Sequence, residues 1–294
     1  MASRRFRFLG GTVATAAAIG LSAGVADMGV STLHGDPTAE EQVMLERLNA
    51  ARKDPLAAQT RLKVDLTAKG RFALTPKPPL CMNAILATAA RLHCRNMSER
   101  GFFSHTDHLG RRPSDRIRAA GYQFRACSEN LAVSDPLPDQ ALDRLIIDEG
   151  VADLAHRISL LGLTEQASMF DEVGIGAIKT NGKWKHYYTV DLATDADPNP
   201  FLLGVVYRDT NSNGVYDAGE GVPGIKVQVG ATEDKSVTAT VGGYAVLISD
   251  PGTYVVTFSG AGLPEPVQLP LEIRDRNVKI DVKVGGAPAS KSVP

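Results

Sequence analysis

SHTDHLGRRPSDRIRAAGY at residues 104–122 is followed by SENLAV at 128–133, LIIDEGVADLAHRISLLG at 145–162, EVGIGA at 172–177 and HYYTVDLAT at 186–194. These runs bring two imidazoles, His105 and His156, and three carboxylates, Glu129, Asp148 and Glu149, into otherwise apolar-periodic sequence. Imidazole and carboxylate are the raw material of a transition-metal site or of acid–base chemistry. Around them, Val43, Leu45, Leu48 and Ala51 trace one face of a helix over residues 40–53, ending before Pro55. A second helix is expected over 82–100 with Gly101 as its left-handed stop, and a short one over 113–120 opened by Pro113. Residues 141–161 read as helix broken at Gly150, a break that lets Asp148 or Glu149 fold back toward His156. Two strands follow at 172–178 and 184–192, separated by the turn Thr180-Asn181-Gly182, with Trp184, His186, Tyr188 and Val190 expected on one face.

The order of these motifs, together with QVMLERLNAARKDP at 42–55, resembles the CAP superfamily, the cysteine-rich secretory, antigen 5 and pathogenesis-related 1 proteins, in its bacterial branch. The resemblance covers residues 40–195 and implies an α/β/α sandwich with a central cleft. Carried over residue by residue, it places His105, His156 and Glu129 in that cleft as candidate metal ligands, with zinc as the candidate metal, and Asp148 or Glu149 as the second acid. The strand carrying His186 makes a third imidazole a candidate there, whereas His34, His93 and His108 read as solvated or helix-surface residues. Asn130 is expected to bond its local backbone.

Beyond a proline-bearing break at 195–200, short β-type runs succeed one another at 202–207, 224–229, 243–248, 253–258, 267–273 and 278–284, the pattern of a small immunoglobulin-like β-sandwich over residues 200–285. The whole is therefore an α+β chain of two domains, with a flexible Gly/Ala/Ser/Pro tail at 286–294. Near the start of the second domain, Asp209, Asn211, Asn213, Asp217 and Glu220 supply oxygen side chains at positions one, three, five, nine and twelve of a calcium loop, with Gly214 at six and Val215 offering its carbonyl. GVVYRDTNSNGVYDAGEGVPGIKVQV at 204–229, with GGYAV and DPGTYVV downstream, resembles the SdrD B-like modules of bacterial surface proteins, which implies structural calcium.

Thirty-two basic against thirty-three acidic residues leave no electrostatic footprint for nucleic acid. At the N-terminus Arg4, Arg5 and Arg7 precede an uncharged Ala/Gly-rich run at 8–26, the layout of an export signal cleaved before Asp27, with the twin-arginine route or an uncleaved anchor as variants. A secreted protein, extracellular or periplasmic, follows, and with three cysteines, Cys81, Cys94 and Cys127, such a protein has room for one disulfide. Three functions fit: binding of a small apolar, lipid or cell-wall ligand, metal-dependent hydrolysis with Glu129 or Asp148 as base, and surface interaction without chemistry.

Overall fold

The structure is a computed structural model and describes residues 33–134, 137–285 and 291–292. The expected export signal at 1–26 and most of the expected tail lie outside these residues. Helix α1 (Ala39–Lys53) opens on a reciprocal capping box, Thr38 accepting from the Glu41 amide and Glu41 from the Thr38 amide. Pro55 does stop it, and also starts α2 (Pro55–Leu62), because Asp54 caps the new helix and a proline at its first position loses no hydrogen bond. After β1 (Cys81–Met82), Asn83 caps α3 (Ala84–Arg100), which ends at Gly101 with φ 66°, as the sequence implies. Then come α4 (Pro113–Ala119), β2 (Phe124–Ser134), α5 (Pro138–Ile147), α6 (Ala155–Leu161), α7 (Glu165–Ser168), β3 (Glu172–Lys179) and β4 (His186–Asp195).

The first sheet has the order β1-β3-β4-β2, with β1 parallel to β3 and the other pairs antiparallel. Strand alternation sends Val173, Ile175, Tyr188, Val190 and Leu192 to the side of α1, α5 and α6. The other face meets α3 and α4 through Leu86, Cys94, Met97, Ile117, Leu131 and Tyr187. Helices thus cover both faces of one sheet. Trp184 lies before β4 and packs with Tyr187 on the α3 side, not with Tyr188 and Val190 as expected, because the strand begins only at His186. All three cysteines are unpaired thiols, so no disulfide forms here.

The second module has two sheets around one core. Strands β5 (Phe201–Tyr207), β8 (Gly243–Leu247), β11 (Val278–Ile280), β12 (Val282–Lys283) and β13 (Lys291–Ser292) form one, and β6 (Lys226–Val229), β7 (Lys235–Val237), β9 (Gly252–Ser259) and β10 (Val267–Ile273) the other. The last expected strand is broken at Asp281, whose carboxylate accepts the Val205 amide at 3.0 Å in place of a backbone carbonyl.

The two modules meet along the outer face of α1. Lys279 of β11, itself buried, lies 2.7 Å from Glu46 and also bonds Asp281. Burial alone would lower the Lys279 pKa, but Asp281 and Glu46 outweigh it and raise the value. Asn277 donates to the carbonyls of Pro79 (3.0 Å) and Asp171 (2.7 Å) while accepting from the Phe201 amide (2.9 Å). His34, expected in solvent, is buried at this seam against Gln42 (3.0 Å) and holds a pKa pushed down to about 4 by burial.

That shift has a definite sign. Above pH 6.5 His34 is neutral in folded and unfolded chains alike; between 6.5 and about 4 only the unfolded chain takes up the proton, so stability falls with pH. Full expression amounts to about 3 kcal/mol. Urea unfolding at pH 7 and pH 4 should therefore show a smaller acid loss for His34→Gln than for wild type; equal losses would contradict the assignment.

Candidate functional site

The loop after Gly101 carries His105, and Asp107 stiffens it by accepting the amides of Leu109 and Arg111, each at 2.9 Å. Arg116, buried on α4, donates to the carbonyls of His105 (2.8 Å) and Arg111 (2.9 Å) and bonds Glu129 Oε2 with its other terminal nitrogen. Glu129 projects from β2 with its side chain 1 % exposed, and its Oε1 lies 2.8 Å from His105 Nδ1. A carboxylate so placed fixes the imidazole as the Nδ1–H tautomer and directs Nε2 outward. The His105 side chain is 53 % exposed, and among the described residues its Nε2 has no hydrogen-bond partner.

Three residues beneath this dyad escaped the sequence reading. His93 is buried, not on a helix surface: its Nε2 is 3.0 Å from the Ser104 carbonyl and 4.0 Å from Glu129 Oε1, and burial lowers its pKa. Asp191 stands opposite Glu129 in the β2–β4 register, and burial first, then the Glu129 charge, pushes its carboxyl well above the usual range. Arg116 is the third. The available signal was a lone acid in the apolar strand HYYTVDLAT, facing the side opposite Tyr188 and Val190.

The second dyad is built from a helix end. Asp148 terminates α5 in the left-handed conformation (φ 55°), which turns its carboxylate back onto the next helix: Oδ1 is 2.7 Å from His156 Nδ1, and Oδ2 accepts the Arg157 amide at 3.1 Å. Of the two acids proposed for this place, Asp148 therefore takes it, and Glu149 is exposed beside it. Arg157 clamps the turn by donating to the carbonyls of Ile146 (3.0 Å) and Asp65 (3.1 Å). His156 presents the same chemistry as His105, with Nδ1 on a buried carboxylate and Nε2 without a partner among the described residues.

Strand β2 serves both dyads. Asn130, the neighbour of Glu129, points to the other face and accepts Ser159 Oγ at 2.7 Å, while that hydroxyl lies 3.0 Å from the His156 carbonyl. The expected local backbone bond of Asn130 is thus replaced by a contact across layers. His186 stacks on Tyr188 opposite Ser134 and Lys179, at the far end of the strand from Asp191. Next to Asp148 a groove of about 650 Å³ opens between α2 and the 147–154 turn, with Leu62, Val64, Val151 and Leu154 as apolar walls and Lys63 and Glu149 at its rim.

The dyads and the 209–220 loop offer donor sets of different hardness. Among the described residues no group of three or more His, Cys, Asp and Glu side chains is gathered around one point. At the dyads both oxygens of each carboxylate are engaged, by His105 and Arg116 at Glu129 and by His156 and the Arg157 amide at Asp148. The donors without a partner among the described residues are the two Nε2 atoms, which suit a borderline metal such as zinc. In the 209–220 loop every side-chain donor is oxygen or amide: Asp209 accepts the amides of Asn213 (3.1 Å) and Gly214 (3.0 Å), Asp217 accepts Asn211 (2.9 Å) and Asn213 (2.6 Å), and Glu220 accepts Thr210 (2.8 Å) and Asp217 (3.0 Å). Gly214 has φ 79°, the conformation the sixth position of such a loop needs. The chemistry fits a hard cation, with Lys283 3.2 Å from Asp209 and Arg47 3.7 Å from Asp217 as the present counter-charges.

A sheet covered by helices on both faces, with paired His and acid side chains on its edge strand and adjoining turn, defines the class of this module. The chain belongs to the cysteine-rich secretory protein family, CAP, whose model matches residues 45–192. It is 23 % identical over 145 residues to the uncharacterized protein YkwD of Bacillus subtilis, covering 49 % of this chain and 52 % of that one, so it spans about half the length of the curated relative it matches. Similar solved structures include an extracellular protein containing an SCP domain from Bacillus anthracis, with 22 % identity over 44 % of this chain and 37 % of that one and a TM-score of 0.33. An outer surface protein of Borrelia burgdorferi matches with 18 % identity over 49 % and 95 % of the two chains and a TM-score of 0.32. The venom allergen-like protein 4 of Schistosoma mansoni matches with 14 % identity over 55 % and 92 % and a TM-score of 0.33. Among the described residues no helix is long and apolar enough to cross a membrane.

Proposed function

We propose that this is a secreted CAP-domain binding protein whose two carboxylate–histidine dyads hold a divalent transition metal through Nε2 of His105 and of His156. The observation that carries the reading is the shared construction: each imidazole is fixed through Nδ1 by a carboxylate 1 % exposed. Glu129 and Asp148 then act as orienting partners and not as ligands. Ligand binding is favoured over hydrolysis because both carboxylates are buried, 1 % exposed, and each already orients an imidazole, so neither is presented to a substrate as a base. The groove beside Asp148 would take a small apolar, lipid or cell-wall ligand along Leu62, Val64, Val151 and Leu154. Export rests on the basic cluster and small-residue run before Asp27.

Zinc titrated calorimetrically into the full chain should bind weakly and exchangeably, since only two protein ligands are offered. His105→Ala and His156→Ala should each lower affinity at least about tenfold, and Asp148→Asn by about 10-fold or more through the tautomer it fixes. If both histidine variants bind as wild type does, the site reading fails.

The second module we assign to the SdrD B-like, immunoglobulin-like class with calcium in the 209–220 loop. Its support is the complete spacing of Asp209, Asn211, Asn213, Asp217 and Glu220, and the positive φ of Gly214. Calcium at a hundredfold excess over its dissociation constant should stabilise the folded chain by about 2.7 kcal/mol. Thermal melts in calcium and in chelator should therefore differ, and Glu220→Gln should shrink the difference; identical melts would end the assignment.

A further inference from the structure

The 209–220 loop lies against the CAP module. Tyr216, within the loop, is 4 % exposed: it forms one cluster with Val205 and Tyr207 of β5, against which Val43 of α1 packs, and its hydroxyl donates to the Val241 carbonyl at 3.1 Å. Asp217, the next residue, lies 3.7 Å from Arg47, one turn further along α1. The turn that receives the Tyr216 hydroxyl is itself a seat. A Cβ on Gly243 would come within 2.3 Å of His34 Nε2 and 2.4 Å of Gln42 Oε1, and Thr240 donates its amide to Asp36 at 3.1 Å. Alongside runs the buried Lys279–Glu46 pair. The opposite face of the same helix, with Met44, Leu45 and Leu48, is the core of the CAP module.

We propose that the 209–220 loop is a clamp: by seating Tyr216 and Asp217 on α1 it makes the two modules unfold as one unit, so that a cation held in the loop stabilises the CAP module as well. The clamp stands on the contacts above; its response to a cation rests on the calcium reading of the loop. The physical reason is linkage. A ligand that binds only the folded state stabilises everything that must unfold with its site, and nothing that unfolds separately. Loosely joined domains share small, polar, wet interfaces, whereas here charged, aromatic and backbone-bonded groups are buried together on one helix face.

The single tryptophan makes this testable in the full chain. Trp184 sits in the CAP module, its ring 5.7 Å from that of Tyr187 and 5.9 Å from that of Phe103, so its emission reports unfolding there. Val256 is fully buried in the core of the β-module, and so is Ile273. In chelator, Val256→Ala should lower the urea midpoint seen by Trp184 by about 0.5 M, with the milder Ile273→Val moving it in the same direction. Tyr216→Ala should lower it too, and separate the Trp184 transition from that seen by far-UV circular dichroism. A Trp184 curve unmoved by both β-module variants, while circular dichroism shifts, would overturn the clamp. With calcium at a hundredfold excess over its calorimetric dissociation constant, the folded-to-unfolded ratio reported by Trp184 should rise about 100-fold. Calorimetric binding without that rise would also overturn it. No calorimetric binding would remove the calcium reading alone, and the chelator experiments would then decide the clamp.

Discussion

Gly174→Ala is expected to cost at least about 3 kcal/mol, at the upper end of the overpacking range. Gly174 faces α3 from the middle of β3, and a Cβ there would lie 2.1 Å from the Leu86 carbonyl carbon and 2.4 Å from the Ala87 nitrogen. Both are backbone atoms of a capped helix, so relief requires moving the helix off the sheet and not merely turning a side chain. Gly176 repeats the contact one pleat further on, 2.6 Å from the Arg91 nitrogen. Urea unfolding followed by Trp184 emission measures the loss. Gly101→Ala is the control, because it meets no neighbour and strains only a left-handed residue, φ 66°, at a cost of about 1 kcal/mol. Should the two variants prove equally mild, α3 does not lie on β3 as described.

Lys279→Ala should destabilise the chain by about 3 kcal/mol, because it leaves the Glu46 carboxylate, 11 % exposed, and the half-buried Asp281 without their shared cation. Lys279→Met combined with Glu46→Gln and Asp281→Asn should recover most of that loss: it removes the charges together and keeps an acceptor for the Val205 amide. Urea midpoints for the single and triple variants test the pair. If the triple variant is no better than Lys279→Ala, the buried ion pair is not the origin of the effect.

Much of the first module was legible because its punctuation is chemical. Pro55, Gly101 and Pro113 each interrupt a periodic run for a reason local to the backbone, and helices begin or end beside each of them, whereas the break expected at Gly150 spans Asp148 to Leu154. Strand β2 was less visible. FRACSENLAVS mixes charge with small residues because its two faces answer to different layers: Glu129 to a loop and a short helix, Asn130 to α6. The pairing of Asp148 with His156 followed from a broken helix, but choosing it over Glu149 needed the left-handed turn at the end of α5, which sequence does not specify for aspartate. His93, Arg116 and Asp191 were hidden for another reason. A buried ionisable group is recognisable only by its partners, and these come from α3, α4 and β4, elements distant in the chain. His34 was misread likewise, since the surface that buries it belongs to the other module.

The seam along α1 also bears on how the molecule is made. Synthesis delivers Glu46 233 residues before Lys279, so the outer face of the first helix emerges long before the strand that covers it. Closure over such a span of chain is slow, and an uncovered face is where growing chains stick to one another. Here the waiting surface is written with Gln42, Glu46 and Arg47 around a single Val43. That composition keeps it wettable until β11 arrives, and exchanges water for Lys279 and Asp217 only when the last strands of the second module fall into place.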